Sequence, residues 1–229
     1  MKHFNYALIL MLIAAACVFG TAPAFADGYA EDAVAEIPVP PSFKLPPAVT
    51  PELIVVANDD DRRKELSERG YWVAPSISRA LMAAEWGYTI YVTAGTYYEN
   101  VSMEYMGDLQ IIGEQGVLVI ADNDEDVFYL QECEDIRIHN IDMVHEIGES
   151  PCLHNCIVIW DCQDVLVEYC DLSGCGYIGV EVLGNGSPDN IRVENCAIHD
   201  CEVAFYDVPG NALRPLNNVV WACAEKQWD

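Results

Sequence analysis

The segment VLVEYCDLSGCGYIGVEV (165–182) lies over IRVENCAIHDCEVAFYDV (191–208) without a gap, at an offset of 26 residues. Val165, Val167, Leu172 and Val182 fall on Ile191, Val193, Ile198 and Val208, while Cys170 falls on Cys196 and Cys175 on Cys201. Upstream, DIRIHNIDM (135–143) repeats DVLVEYCDL (164–172) at an offset of 29. FYLQECE (128–134) likewise repeats IVIWDCQ (157–163), which sets Cys133 over Cys162, and a partial copy, NVVWAC, begins at Asn218. Self-similarity at a short fixed period marks a solenoid, in which each turn buries its face against its neighbours. Within a copy the period is two, with β-branched residues alternating with polar ones and Asn, Gly and Asp at the corners, so the turns are strands rather than helices. The predicted fold class is all-β. It is a short right-handed parallel β-helix of about five or six coils, with equivalent positions on successive coils about 4.8 Å apart.

Working outward, residues 88–229 form the β-helix and residues 51–87 an N-terminal cap. The cap holds a short strand, Leu53 to Val56, a charged run from Asp59 to Arg69, and a helix from Pro75 to Trp86. In that helix Ile77, Ala80, Leu81 and Ala84 share one face, and Gly87 supplies the left-handed end. Residues 27–50 are proline-rich without periodicity and read as a tether. Residues 1–26 have the order of a secretory signal peptide: Lys2 and His3, an apolar stretch from Tyr6 to Ala16, and a small-residue site cleaved after Ala26. The stretch is too short to span a membrane, so the mature chain is expected to lack a transmembrane segment and to be secreted or periplasmic. Leu12 to Cys17 loosely resembles a lipobox, which makes lipidation of Cys17 the alternative.

Eleven Lys and Arg stand against 37 Asp and Glu, a formal charge of -26. Such a surface excludes nucleic acid, whose binding depends on Lys and Arg displacing counterions. With 52% apolar and 21% charged residues the chain is not disordered.

The segment SISRALMAAEWGYTIYVTAGTYYENV (76–101) resembles the entry of right-handed parallel β-helix proteins of the pectin-lyase-like superfamily. The later repeats resemble those found across it, NosD-like proteins included. Asn140 and Asn195 match the corner Asn of that pattern and Tyr169 departs from it. The resemblance covers roughly residues 75–223 and is specific for fold, because the superfamily holds lyases, hydrolases, esterases and structural domains. It implies a substrate face on the strands FYLQ (128–131), IVIWD (157–161), IGVEV (178–182) and AFYDV (204–208). With Val180 and Tyr206 inward, Glu181 and Asp207 point outward on adjacent coils as an acid–base pair, with Asp161 at the edge. Trp160, Gln131 and Tyr129 would contact the glycan. A lyase reading lacks its basic residue, since no Lys occurs between Lys64 and Lys226. A methylesterase reading fails because Val180 stands where that family carries its nucleophilic Asp.

His145-Glu146 and Cys152-Leu153-His154-Asn155-Cys156 form the richest ligand cluster. Thiolate with imidazole suits copper or zinc, so His145, Cys152, His154 and Cys156 are the candidate metal set, against a Cys152–Cys156 disulfide. Stacked pairs Cys133/Cys162, Cys170/Cys196 and Cys175/Cys201 are disulfide candidates in an oxidising compartment, which leaves Cys223 over. The acidic runs Asp59–Asp61 and Asp122–Asp126 have the composition of calcium loops, though Val127 replaces the Gly that an EF-hand needs. The leading expectation is an exported, non-catalytic β-helix module that binds glycan or a protein partner along the solenoid face. The alternatives are a polysaccharide-active enzyme using Glu181, Asp207 and Asp161, and a periplasmic metal-handling protein.

Overall fold

Each repeat lays down three short strands, one in each of three parallel sheets. The fold comes from a computed structural model that describes residues 39–121, 123–145, 153–185, 188–208 and 210–224. The expected leader, Cys17, the first part of the proline-rich stretch, Asp122, Glu146 and Cys152 lie outside the described residues. Sheet 1 has eight strands, sheet 2 six and sheet 3 five. Five complete coils run from Thr89 to Asp207, and Leu213–Leu216 with Val219–Trp221 begin a sixth. The expected parallel β-helix is thus the fold observed.

The period-two pattern becomes columns. Ile90, Ile111, Ile138, Val167 and Val193 stack inward from sheet 1. Tyr97, Val119, Met143, Leu172 and Ile198 do so from sheet 2. Val101, Phe128, Ile157, Val180 and Phe205 form the column from sheet 3. All belong to one buried core, each side chain contributing about 1.5–3 kcal/mol relative to exposure.

The corners turn on residues in the left-handed region. Asn140, Tyr169, Asn195 and Asn217 have φ of 54°, 55°, 56° and 56° between sheets 1 and 2. Glu132 and Asp161, both at 50°, turn sheet 3 into sheet 1, and Gly174 (72°), Asp200 (54°) and Ala222 (51°) turn sheet 2 toward sheet 3. Tyr169 therefore breaks the asparagine pattern in chemistry and not in backbone. The conformation costs a non-glycine residue about 1–2 kcal/mol, offset here by a ladder bond from the Tyr169 amide to the Glu194 carbonyl (3.2 Å).

Seven cysteines immediately follow such a corner residue: 133, 162, 170, 175, 196, 201 and 223. Six of these thiols lie within 3.3–3.5 Å of the carbonyl two residues back, as Cys162 does with the Trp160 oxygen at 3.3 Å. A small apolar group with a weak donor fits this place, where the turn leaves a carbonyl facing the core.

The cap departs from expectation in three places. The charged run is a helix, α1 (Asp60–Glu68), started by Asp59, whose Oδ1 accepts the Arg62 amide at 2.8 Å. Asp60 and Asp61 sit where the helix dipole favours acids, so this run is a helix start. The helix expected over 75–86 shortens to α2 (Ile77–Leu81). Its Ile77, Ala80 and Leu81 close the end of the core, while the Glu99 carboxylate accepts the amides of Ile77 and Ser78, each at 2.9 Å. It stops early because the Gly87 amide must bond the Asp108 carbonyl (2.8 Å) as the chain turns into the first coil.

The described part of the expected tether is packed rather than free. Residues 39–48 lie on the outer face of sheet 1, with the Phe43 ring 4.5 Å edge-on from His139 and the Arg137 guanidinium 5.7 Å above Phe43. Tyr71 donates to the Pro46 carbonyl at 2.8 Å. Leu66 from α1, Leu53, Val55, Tyr91 and Ile112 form a second apolar layer there, with Leu45 against it. An aromatic residue and prolines in an aperiodic stretch are the means by which a strap grips a sheet face.

Close backbone approach fixes one glycine. A Cβ on Gly113 would lie 2.2 Å from the Asn140 carbonyl oxygen of the next coil. Gly113→Ala is expected to lower unfolding free energy by about 1–3 kcal/mol, measured by urea denaturation. An unchanged midpoint would show that the coils are not held in this register.

Candidate functional site

With the N-terminal strands of sheet 1 covered by the chain's own strap and α1, the outer face of sheet 3 is the long surface on which expected site residues gather. The four strands expected there are all in sheet 3, joined at the N-terminal side by Val101–Glu104. Two outward columns run along it. One carries Ser102, Tyr129, Val158, Glu181 and Tyr206; the other carries Glu104, Gln131, Trp160 and Leu183.

The expected pairing of Glu181 with Asp207 is overturned. Tyr206 stands beside Glu181, and Asp207 aligns with Val182 in the inward register. The corner from Cys201 to Val203 is one residue shorter than that from Cys175 to Ile178, so the offset falls from 26 to 25 on this side of the coil. A one-residue slip exchanges the faces of a strand. Asp207 instead accepts the amides of Ala212 (2.9 Å) and Leu213 (3.0 Å) and folds the following loop.

The carboxylate that Glu181 does meet is Asp126. Asn155 joins them: its Nδ2 donates to Glu181 Oε2 at 2.8 Å, its amide donates to Asp126 Oδ1 at 2.8 Å, and its Oδ1 accepts the Ile178 amide at 3.0 Å. His154 completes the knot with Nδ1 3.8 Å from Asp126 Oδ1 and Nε2 4.0 Å from Asp124 Oδ1. Burial, then the Asp126 charge, pushes the Glu181 carboxyl up to about 7 against the Asn155 hydrogen bond. Burial also raises Asp126, against the Asn155 amide and the nearby His154. A half-buried carboxyl that titrates near neutrality beside a second carboxyl can hold and deliver a proton there.

The remaining expected residues are placed as follows. Trp160 is half-buried on the face, its Nε1 donating to Asp161 Oδ2 at 3.2 Å. Asp161 is a corner residue beyond the strand. Tyr129 donates to Gln131 Oε1 at 3.0 Å, so these two act as one polar-aromatic unit. Val180 lies wholly in the core, consistent with its failure as a nucleophile position. Of the expected metal set, the described members stand apart: His154 faces the two aspartates, His145 Nε2 is 2.9 Å from the Glu125 carbonyl, and Cys156 is fully buried, pointing into the core. The stacked cysteines are adjacent, all as thiols, with the Cys133 amide 3.3 Å from Cys162 Sγ and the Cys170 amide 3.5 Å from Cys196 Sγ.

Asp126 was read in sequence only as part of an acidic run and Asn155 only as a spacer between His154 and Cys156, because their meeting with Glu181 is a contact between residues far apart in the chain. A second acidic row was legible. The repeat that sets DIRIHNIDM on DVLVEYCDL already places Asp142 over Asp171. On sheet 2 the Asp171 amide bonds Asp142 Oδ1 at 3.3 Å, His199 Nε2 lies 2.9 Å from Asp171, and the rings of His199 and Trp221 stack at 4.1 Å. Burial, then Asp171, pushes Asp142 up to about 6.

No family model and no curated protein sequence matches the chain. Among solved structures it is similar to a pectin methylesterase in complex with a hexasaccharide, at TM-score 0.45 and 12% identity over 64% of this chain and 55% of that one. It is similar to the pectin methylesterase from Erwinia chrysanthemi at TM-score 0.45 and 12% identity, over 67% of this chain and 56% of that one. For the pectin methylesterase from Aspergillus niger the values are 0.38 and 13%, over 80% and 88%. The match spans little more than half the length of the first two. Each likeness is one of backbone path.

The perturbed carboxyl has a thermodynamic signature. Between the ordinary value of 4.5 and about 7 the folded chain keeps a proton on Glu181 that the unfolded chain has released. Stability therefore falls as pH rises through that window. Glu181→Gln keeps an acceptor for Asn155 and removes the titration. Relative to the parent it is expected to gain on the order of 1–2 kcal/mol at pH 8, discounted for partial exposure, and nothing at pH 4. Urea denaturation at the two pH values measures this. An equal effect at both would assign the titration elsewhere.

Proposed function

We propose that the chain is a β-helix module that binds a glycan along the outer face of sheet 3, with Trp160, Tyr129 and Gln131 as its contacts. The observation that carries this reading is the outward pair of columns, in which Gln131 and Trp160 stand on successive rungs about 4.8 Å apart with Tyr129 bonded to Gln131 beside them. Aromatic rings offer a sugar their apolar faces, and amides its hydroxyls. A strong net negative charge of -26 disfavours polyanionic chains, so the preferred glycan is neutral. Export, expected from residues 1–26, would bring the module to such polymers. The carbohydrate ligand in one similar structure, the hexasaccharide, belongs to that protein and agrees with the reading.

A second reading is favoured by Glu181 and Asp126. Two carboxyl groups held apart in proton affinity can serve as acid and base in glycosidic hydrolysis. Here Glu181 would carry the proton and Asp126, bonded to the Asn155 amide, would be the ionised partner. Asp126 takes the place that sequence alone gave to Asp207.

The full chain incubated with neutral and uronate polysaccharides, with and without calcium, tests both. Retention on a neutral polymer without shorter products is the expected result, with Trp160→Ala weakening it by at least about tenfold. Product release that is lost in Glu181→Gln while retention persists would establish the hydrolytic reading. Neither retention nor release would leave the face to a protein partner.

A further inference from the structure

The three sheets meet at corners lined by thiols, and one corner differs from the others. Cys175 follows Gly174 as its counterparts follow their own corner residues. Its counterparts' thiols bond the carbonyl two residues back. The equivalent carbonyl for Cys175 is that of Ser173, and it is taken by Cys156, whose Sγ lies 3.5 Å from it. Cys156 is not a corner cysteine: it precedes Ile157 and enters from the end of the 145–156 segment. The Cys175 sulfur is turned instead to Cys201 on the next coil, at 2.7 Å. The sulfurs of Cys156, Cys175 and Cys201 all lie within 4.8 Å of one another, and all three residues are buried. Among the described residues no other group of His, Cys, Asp and Glu converges in this way. Cys223 stands one coil further on, since His199 pairs with Trp221.

We propose that Cys156, Cys175 and Cys201 form a binding site for a thiophilic d10 cation, zinc or copper(I), at the corner between sheets 2 and 3. Sulfur ligands about 2.3 Å from a tetrahedral or trigonal ion stand about 3.8–4 Å apart, so the Cys175–Cys201 pair must open from 2.7 Å to take the ion, while the group as a whole already lies within 4.8 Å. Three thiols around one point suit a shared centre better than a disulfide, which joins two and strands the third. In the tetrahedral case the fourth position falls to an added thiol, since Cys223 lies one coil beyond the group. Binding exchanges thiol protons for the ion, so it strengthens as pH rises. The ion would tie three successive coils together at the point where the 145–156 segment returns to the sheet.

The site is separate from the face assigned to glycan, so the two readings fail independently. The full chain, purified under reductant and freed of metal, is titrated with zinc and, in a second arm, with copper(I) under anaerobic conditions. One equivalent of at least one ion is expected to bind and raise Tm, reversed by chelator, and the tighter arm identifies the ion. Cys175→Ser should weaken uptake at least tenfold, while Cys170→Ser at the opposite corner should leave it unchanged. Should either variant fail to fold, X-ray absorption of the loaded parent chain decides: three or four sulfur neighbours are expected, and a shell of nitrogen and oxygen alone overturns the proposal. Uptake of neither ion, equal uptake by the two variants, or a Cys175–Cys201 disulfide in a chain that takes up no ion would also overturn it.

Discussion

A left-handed residue at the corners of the later coils is the constraint on which the rest of this molecule depends. Among the described residues fourteen non-glycine residues hold positive φ, and most sit where one sheet gives way to the next. Each fixes the direction of the turn, so the number of residues between two corners decides which side chains point inward on the following strand. From the fourth coil to the fifth that count is the same for sheets 1 and 2 and shortens by one before the last strand of sheet 3. One missing residue there puts Tyr206 beside Glu181 and sends Asp207 to hold a loop. The chemistry of the face is thus a product of corner length more than of strand composition.

Electrostatics then works on what the corners arrange. In a chain this acidic, most carboxylates repel one another through water at little cost. Glu181, Asp126 and Asp142 are different because each is half-buried against another acid or held by an amide. On sheet 1 the opposite solution is used: Glu168 is ion-paired with Arg137 beside His139, under Phe43, and these hydrogen bonds hold its carboxyl below the ordinary range although burial pushes it up. There the carboxylate is ion-paired and covered by the strap. The faces of sheets 2 and 3 carry carboxyl groups left near neutrality, which is where proton chemistry or polar recognition can occur.

Much of this was legible in the repeats. Val165 over Ile136, Val167 over Val193 and Ile157 over Phe128 are ladder partners in the structure as they were in the alignment. Period-two burial survives in the sequence because it is local. The cap was less legible: Asp59 to Glu68 shows almost no apolar periodicity, and its helix is secured by an N-cap, acids in the first turn and one buried Leu66. The site was least legible. Asn155 and Cys156 are neighbours in sequence, yet one turns out to Glu181 and the other into the core. Only the path of the segment before them decides that.

The partial sixth coil also bears on how the molecule meets others of its kind. A β-helix exposes an open row of amides and carbonyls at its end, on which a further chain could add as another rung and continue without limit. Here the last strand of sheet 1 reads Leu213-Arg214-Pro215-Leu216, and Pro215 pairs backward with Val193 while having no amide to offer forward. On sheet 1 the register that builds the coil therefore lacks one amide at the rung where a further strand would add.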